Sequence, residues 1–274
     1  MKKKYSVAAL AIATALFTVA CQNNASSNTS TSSQSSKRSQ VKKNKVATKS
    51  TEKTNNESES NHSQSQAPQT SRLLQMNRQL KKVFPEMILP QSDGLTSGSD
   101  KLNVRYTKAN GENDIYYSVG KTALKFNNPA IKKERPFAVL SEENNLNDSQ
   151  TADVINFQAD DKSLPQVKVT DDVVATQQSG AGQTYLSWTQ GKWSFSIHAS
   201  TVADQEPLTT AKKVAALAKK YKLPEPQTHG SMRIQVAESY GSLGNVISWK
   251  QNNRVYQIRA HSLDTAFKMI ASMK

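Results

Sequence analysis

The chain of 274 residues carries 36 Lys and Arg against 22 Asp and Glu, a formal net charge of +14, with 36% hydrophobic and 7% aromatic residues. Setting aside a short leader and a long polar stretch leaves about 200 residues, enough for one core or two small ones. A single cysteine excludes an internal disulfide framework, and the basic balance favours anionic surfaces as partners.

Lys2, Lys3 and Lys4 open the chain, and an apolar stretch at positions 7–20 ends at Cys21. A basic start, an apolar run and small residues before the cut predict a secretory signal peptide over 1–20. The run is too short to span a bilayer, which takes about 20 apolar residues. Phe17-Thr18-Val19-Ala20-Cys21 resembles a bacterial lipobox, with Thr18 where that pattern usually has Leu. The resemblance implies cleavage before Cys21 and an acyl chain such as palmitate on its thiol. Ordinary signal-peptidase cleavage is the alternative, because Thr18 and Ala20 also satisfy the small-x-small rule. A lone cysteine in an exported chain needs a role of its own, and acylation supplies one. Each buried lipid methylene contributes about 0.8 kcal/mol, so a multiply acylated Cys21 would hold the chain at a membrane.

Positions 22–70 are almost all Ser, Thr, Asn, Gln and Lys, without Leu, Ile or an aromatic residue. Such a stretch buries too little apolar surface to offset an ordering entropy of about 1–2 kcal/mol per residue. It reads as a disordered tether, with 21–70 as its bounds and a mean reach of about 40 Å for a flexible coil. His62 has no role in this reading. By count the stretch is +4 and the rest of the mature chain +7. That charge suits anionic lipid or wall polymer at an envelope. Nucleic acid is disfavoured, because no basic cluster is interleaved with aromatics on one element.

The folded region begins near Ser71. Leu73, Met76, Leu80, Val83 and Met87 recur at steps of three and four, the apolar face of a helix, and Pro85 closes it. Alternation at Leu102, Val104 and Tyr106, then at Ile115, Tyr117 and Val119, predicts a hairpin with a loop longer than two residues around Asn110. A strand follows at 137–140 and a helix at 149–157, with Asp148 or Asn147 as its N-cap. These elements make an N-terminal part at 71–160.

Region 161–274 reads as an internal duplication. Leu186-Ser187-Trp188-Thr189-Gln190 and Ile247-Ser248-Trp249-Lys250-Gln251 align without gaps, and the same offset carries Phe195, Ile197 and Ala199 onto Tyr256, Ile258 and Ala260. Ser194, Ser196 and His198 then face outward where Val255, Gln257 and Arg259 do. A strand is expected before each Trp hairpin, at 167–176 and 232–236. An amphipathic helix follows each, marked by Leu208, Val214, Leu217, Ala218 and Tyr221 in the first and Leu263, Phe267, Ile270 and Met273 in the second. The expectation is an α+β fold, antiparallel sheet or sheets with helices on one face.

Several phrases carry a wider likeness: Ile88-Leu89-Pro90, Asp100-Lys101-Leu102-Asn103-Val104-Arg105-Tyr106, Ile115-Tyr116-Tyr117-Ser118-Val119-Gly120, Ser187-Trp188 and Ser248-Trp249. From about Arg72 onward the chain resembles uncharacterised cell-surface lipoproteins of lactic acid bacteria. The resemblance implies a Gram-positive envelope location and an α+β fold, and it transfers no catalytic residue.

The chemistry-bearing residues are sparse. His198 shares a strand face with Ser194 and Ser196, His229 sits in a Pro-rich linker, and His261 precedes a helix; wet or capping positions explain all three. No metal-ligand spacing stands out, and Asp160-Asp161 and Asp171-Asp172 read as turn residues. Gly180-Ala181-Gly182 reads as a hairpin loop and not a phosphate cradle. Trp188 and Trp249 take inward parity. Trp193 is ambiguous, because its counterpart in the second hairpin is Arg254. Exposed, Trp193 would serve with Tyr185, Tyr116 and Arg254 as a ligand contact. The leading expectation is a non-enzymatic, lipid-anchored extracellular binding domain without cofactor or metal, its partner an anionic wall polymer or another envelope protein. A carrier or sensor enclosing an apolar ligand beside Trp193, Met232 and Tyr240 is one rival. An envelope hydrolase built on the histidines is another.

Overall fold

The computed structural model describes residues 71–237 and 241–274. Cys21, the leader, the tether and Tyr240 therefore lie outside the described residues.

Helix α1 (Arg72–Val83) starts at Ser71, whose hydroxyl accepts from the Leu74 N–H at 3.4 Å. Leu73, Met76 and Leu80 on its inner face are buried. Strands β1 (Leu102–Ala109) and β2 (Glu112–Val119) form the first hairpin, and β3 (Pro136–Glu143) lies against β2. Helix α2 (Asp148–Ile155) begins in a capping box between Asn147 and Gln150. A meander follows: β4 (Gln166–Lys168), β5 (Val174–Gly180), β6 (Gln183–Gln190) and β7 (Trp193–Ser200). Helix α3 (Pro207–Lys220) leads to β8 (Gly230–Gln235), β9 (Asn245–Gln251) and β10 (Arg254–Ala260), and helix α4 (Leu263–Ala271) ends the fold.

The strands make one sheet in the order β1-β2-β3-β10-β9-β8-β7-β6-β5-β4. Pairing is antiparallel except between β7 and β8, which run parallel because α3 returns the chain between them. Across the sheet runs a row of facing residues: Tyr106, Ile115, Leu140, Ile258, Ile247, Met232, Phe195 and Trp188. Helices α1, α3 and α4 cover this face, and their buried side chains join it in a single core. Trp188 stacks on Phe195 at 4.9 Å and Trp249 on Tyr256 at 5.4 Å between ring centroids. The inward parity expected of Trp188 and Trp249 is the observed one.

Three expectations need correction. Ala109 pairs with Glu112, so the first turn holds only Asn110 and Gly111, with Gly111 at φ +83°. Thr107, Lys108 and Ala109 are exposed and carry no apolar alternation to reveal the strand. The segment expected as one strand at 167–176 is two, β4 and β5, and the Asp171-Asp172 pair lies in the bend between them. Helices do not all share one face either. The end of α2 lies on the opposite face, where the Ser231 hydroxyl donates to the Ile155 carbonyl and Ser194 Oγ accepts from the Gln158 N–H at 3.2 Å. The choice the sequence left open between one sheet and two is also decided: β10 pairs with β3, which joins both halves in one sheet.

The two edges differ. Beyond β1, the Asn127 N–H donates to the Val104 carbonyl at 3.0 Å, and Asn127 Oδ1 accepts from the Tyr106 N–H at 3.3 Å. At the other end β4 spans three residues.

Candidate functional site

Alternation that sends apolar residues towards the helices sends the intervening ones to the other face. There the matching row reads Arg105, Tyr116, Val139, Arg259, Val246, Arg233, Ser196, Ser187 and Thr176. A neighbouring row of partners holds Gln178, Tyr185, His198 and Gln235. Side chains of these two rows floor a cavity of about 560 Å³. One wall is the chain leaving α2, through Asn156 and Gln158, and another is Leu243 and Gly244 ahead of β9. Asn156 ends α2 in the left-handed conformation at φ +52°, a turn that asparagine tolerates, and this sets the rim beside β7.

Each floor residue has a definite setting. The rings of Tyr185 and His198 stack at 4.7 Å with 14° between their planes. His198 Nε2 lies 2.5 Å from Gln183 Oε1; an amide oxygen only accepts, so Nε2 carries the proton. Ser187 Oγ donates to Ser196 Oγ at 3.3 Å. Tyr185 is 38% exposed, one of the large apolar-bodied side chains left in contact with solvent.

Arg233 differs from Arg259, Arg72 and Arg254, while half-buried Arg105 has the Tyr116 ring as its neighbour. Arg259 donates to Ser141 Oγ at 3.4 Å and stands 3.9 Å from Asp114 Oδ1. Arg72 donates to the Leu102 and Leu124 carbonyls and, at 3.1 Å, to Asn103 Oδ1. Arg254 pairs with Glu86 and stands 3.6 Å from Glu142 Oε2. Among the described residues no acid or acceptor serves Arg233; its Nε is buried without a partner, as is the Nε of Arg259, whose outer nitrogen does reach Ser141 and Asp114. Burial pushes the Arg233 guanidinium below the ordinary arginine value.

Of the four expected ligand contacts, only Tyr185 reaches this cavity. Tyr116 is on the same face, but Arg105 sits over its ring at 3.4 Å from the centroid, and six strand positions separate it from Tyr185. Arg254 belongs to the helix-covered face, beside a carboxylate, Glu142, that is 2% exposed and also accepts from the Tyr256 hydroxyl at 3.0 Å. Trp193 is 6% exposed and not an exposed anchor. Its ring lies over Gly230, where a Cβ would come within 2.5 Å of it, and its Nε1 donates to the Pro224 carbonyl at 3.3 Å.

The rival readings meet the same geometry. Met232 and Trp193, expected to line an apolar pocket, are buried within the helix-side core. His198, His229 and His261 line three different cavities. His229 lies against Phe157 at 4.2 Å, and His261 Nε2 is 3.3 Å from Thr265 Oγ1. Among the described residues no group of three His, Cys, Asp or Glu is placed to hold a metal, and no helix is long and apolar enough to cross a membrane. Comparison with protein-family models, with curated proteins and with solved structures gives no match for this chain.

Proposed function

We propose that the chain is an extracellular binding lipoprotein of a Gram-positive envelope. Cys21 carries the lipid, positions 22–70 serve as the tether, and the face of the sheet opposite α1, α3 and α4 takes a hydrophilic ligand. The observation that carries the proposal is the cavity of about 560 Å³ on that face, floored by Arg233, Ser196, Ser187, His198 and Tyr185 and bounded by the end of α2. A site set on paired strands holds its side chains in fixed register, which favours recognition of an extended, hydroxylated polymer. The positive balance of the mature chain, +4 over the tether and +7 over the rest, supports an anionic one, the wall polymers of such an envelope being the nearest candidates.

We also read β6–β7 with α3 and β9–β10 with α4 as a duplicated unit. Its support is the shared register: Trp188 faces Phe195 and Leu186 faces Ile197 in one hairpin, Trp249 faces Tyr256 and Ile247 faces Ile258 in the other. Arg259 then takes the place that His198 has in the first unit.

The test has two arms. The Cys21→Ala variant is expected in the medium and the wild type in the membrane fraction; equal membrane retention removes the anchor. The full chain is expected to be retained on purified anionic wall polymer at low salt and released at high salt, since charge attraction is screened within about 3 Å at molar salt. Failure to be retained at low salt removes the binding reading.

A further inference from the structure

We infer that the cavity recognises an acidic saccharide, with Arg233 receiving its oxyanion and Tyr185 receiving its ring. The inference rests on the binding role proposed above and names the unit of polymer bound.

A half-buried guanidinium without a counter-charge is unfavourable to the folded state, because it has left water and met nothing in return. Sequences tolerate such groups where a ligand supplies the missing partner. Arg233 fits that description at the floor of the cavity. Its equivalent on the same row, Arg259, already has Asp114, whose carboxylate is further held by Ser141 at 2.5 Å and Tyr116 at 3.1 Å. Arg105, on the same row, lies over the Tyr116 ring, so among the described residues Arg233 is the arginine of this row with neither an acid nor a ring beside it. The planar fork of arginine matches a carboxylate or a phosphate, the two oxyanions that sugars carry.

The surroundings select a sugar over a bare anion. Ser196, which faces Arg233, and Ser187 offer hydroxyls that both donate and accept, as sugar hydroxyls require. Tyr185, one strand beyond and exposed, offers a flat ring whose stacking on His198 fixes its orientation. With strands about 4.8 Å apart and Tyr185 two residues further along its strand, Arg233 and Tyr185 stand roughly 12 Å apart, about the length of two sugar rings.

The full chain is titrated with glucose, glucuronic acid, glucose 1-phosphate and acetate, followed by amide chemical shifts or calorimetry. Either acidic sugar is expected to bind at least about tenfold more tightly than glucose; the better one tells which oxyanion is native. Arg233→Gln is expected to bring both down to the glucose level, Arg233→Lys to keep part of the preference, and Tyr185→Ala to weaken all three sugars. Thermal unfolding of each variant shows that it is folded. Equal binding of glucose and the acidic sugars overturns the role of Arg233. Acetate binding as tightly as glucuronic acid overturns the saccharide. Should wild type stay on wall polymer and Arg233→Gln stay equally well, this inference alone falls; wild type that never binds polymer or sugar takes the proposed function with it.

Discussion

The two faces of the sheet obey different rules although the same strands build both. On the covered face the row from Tyr106 to Trp188 belongs to or packs against one core, and a change of one methylene is felt by close-packed neighbours. On the open face the row from Arg105 to Thr176 keeps two apolar members, Val139 and Val246, while the others are polar, paired or waiting for a partner. One face holds the strands in place, and the freedom left to the other is where recognition can be written at small structural expense.

Substitutions on the two faces put numbers on this contrast. Trp249→Ala, which empties the middle of the covered face, is expected to cost about 3–5 kcal/mol in urea unfolding. Ser196→Ala on the open face should stay within about 0.5 kcal/mol. Similar losses for both would erase the distinction. Next in size is the buried hydroxyl of Tyr256, whose removal in Tyr256→Phe takes a donor from Glu142 and should cost about 1–3 kcal/mol.

Tyr256 also gives the covered face a pH dependence. Burial, and then the Glu142 charge, push its hydroxyl up to about 12, and burial raises Tyr117 in the same direction. Tyrosines of the unfolded chain ionise near pH 10, so above that point the folded state keeps protons the unfolded state has lost. The stabilisation is complete below about pH 10 and is lost as the pH rises through about 12. Tyr256→Phe should therefore lose stability less steeply across this window than wild type. Parallel curves would show that the hydroxyl is not held neutral.

Smaller effects belong to the open face. Asn147→Ala breaks the capping box of α2 and should cost about 1 kcal/mol, with looser saccharide binding because α2 forms the rim. Smallest of all is Arg233→Gln, for which no loss of melting temperature, or a slight gain, is expected because an unpaired guanidinium is removed. A clear loss would mean that Arg233 already has a stabilising partner in the fold.

The contrast between faces also explains which features were legible in the amino-acid order. Alternation around Trp188 and Trp249 is strong because one side of each strand is fully buried, and their inward direction follows from it. The outward direction of Ser194, Ser196 and His198 follows equally. What alternation cannot give is company across the sheet. Arg233 faces Ser196 only because α3 carries the chain over to a parallel neighbour, a pairing that neither strand announces. Arg233 did leave a trace: a lone cation between Met232 and Ile234, both buried, at an outward position. Helix α2 hid its side for a related reason, since Thr151 and Ile155 are its only buried residues and make no broad apolar stripe. Trp193 was ambiguous because its partner in the aligned hairpin is Arg254, yet the gap left by Gly230 accommodates its ring.

The way the sheet stops has a bearing on life in a crowd. Rows of unused main-chain donors and acceptors let one molecule add its strand to the next and start a fibre. Asn127 occupies part of that role along β1, and β4 is too brief, and too close to the Lys168–Asp171 ion pair, to template an added strand. Molecules of this kind can stand shoulder to shoulder without zipping together.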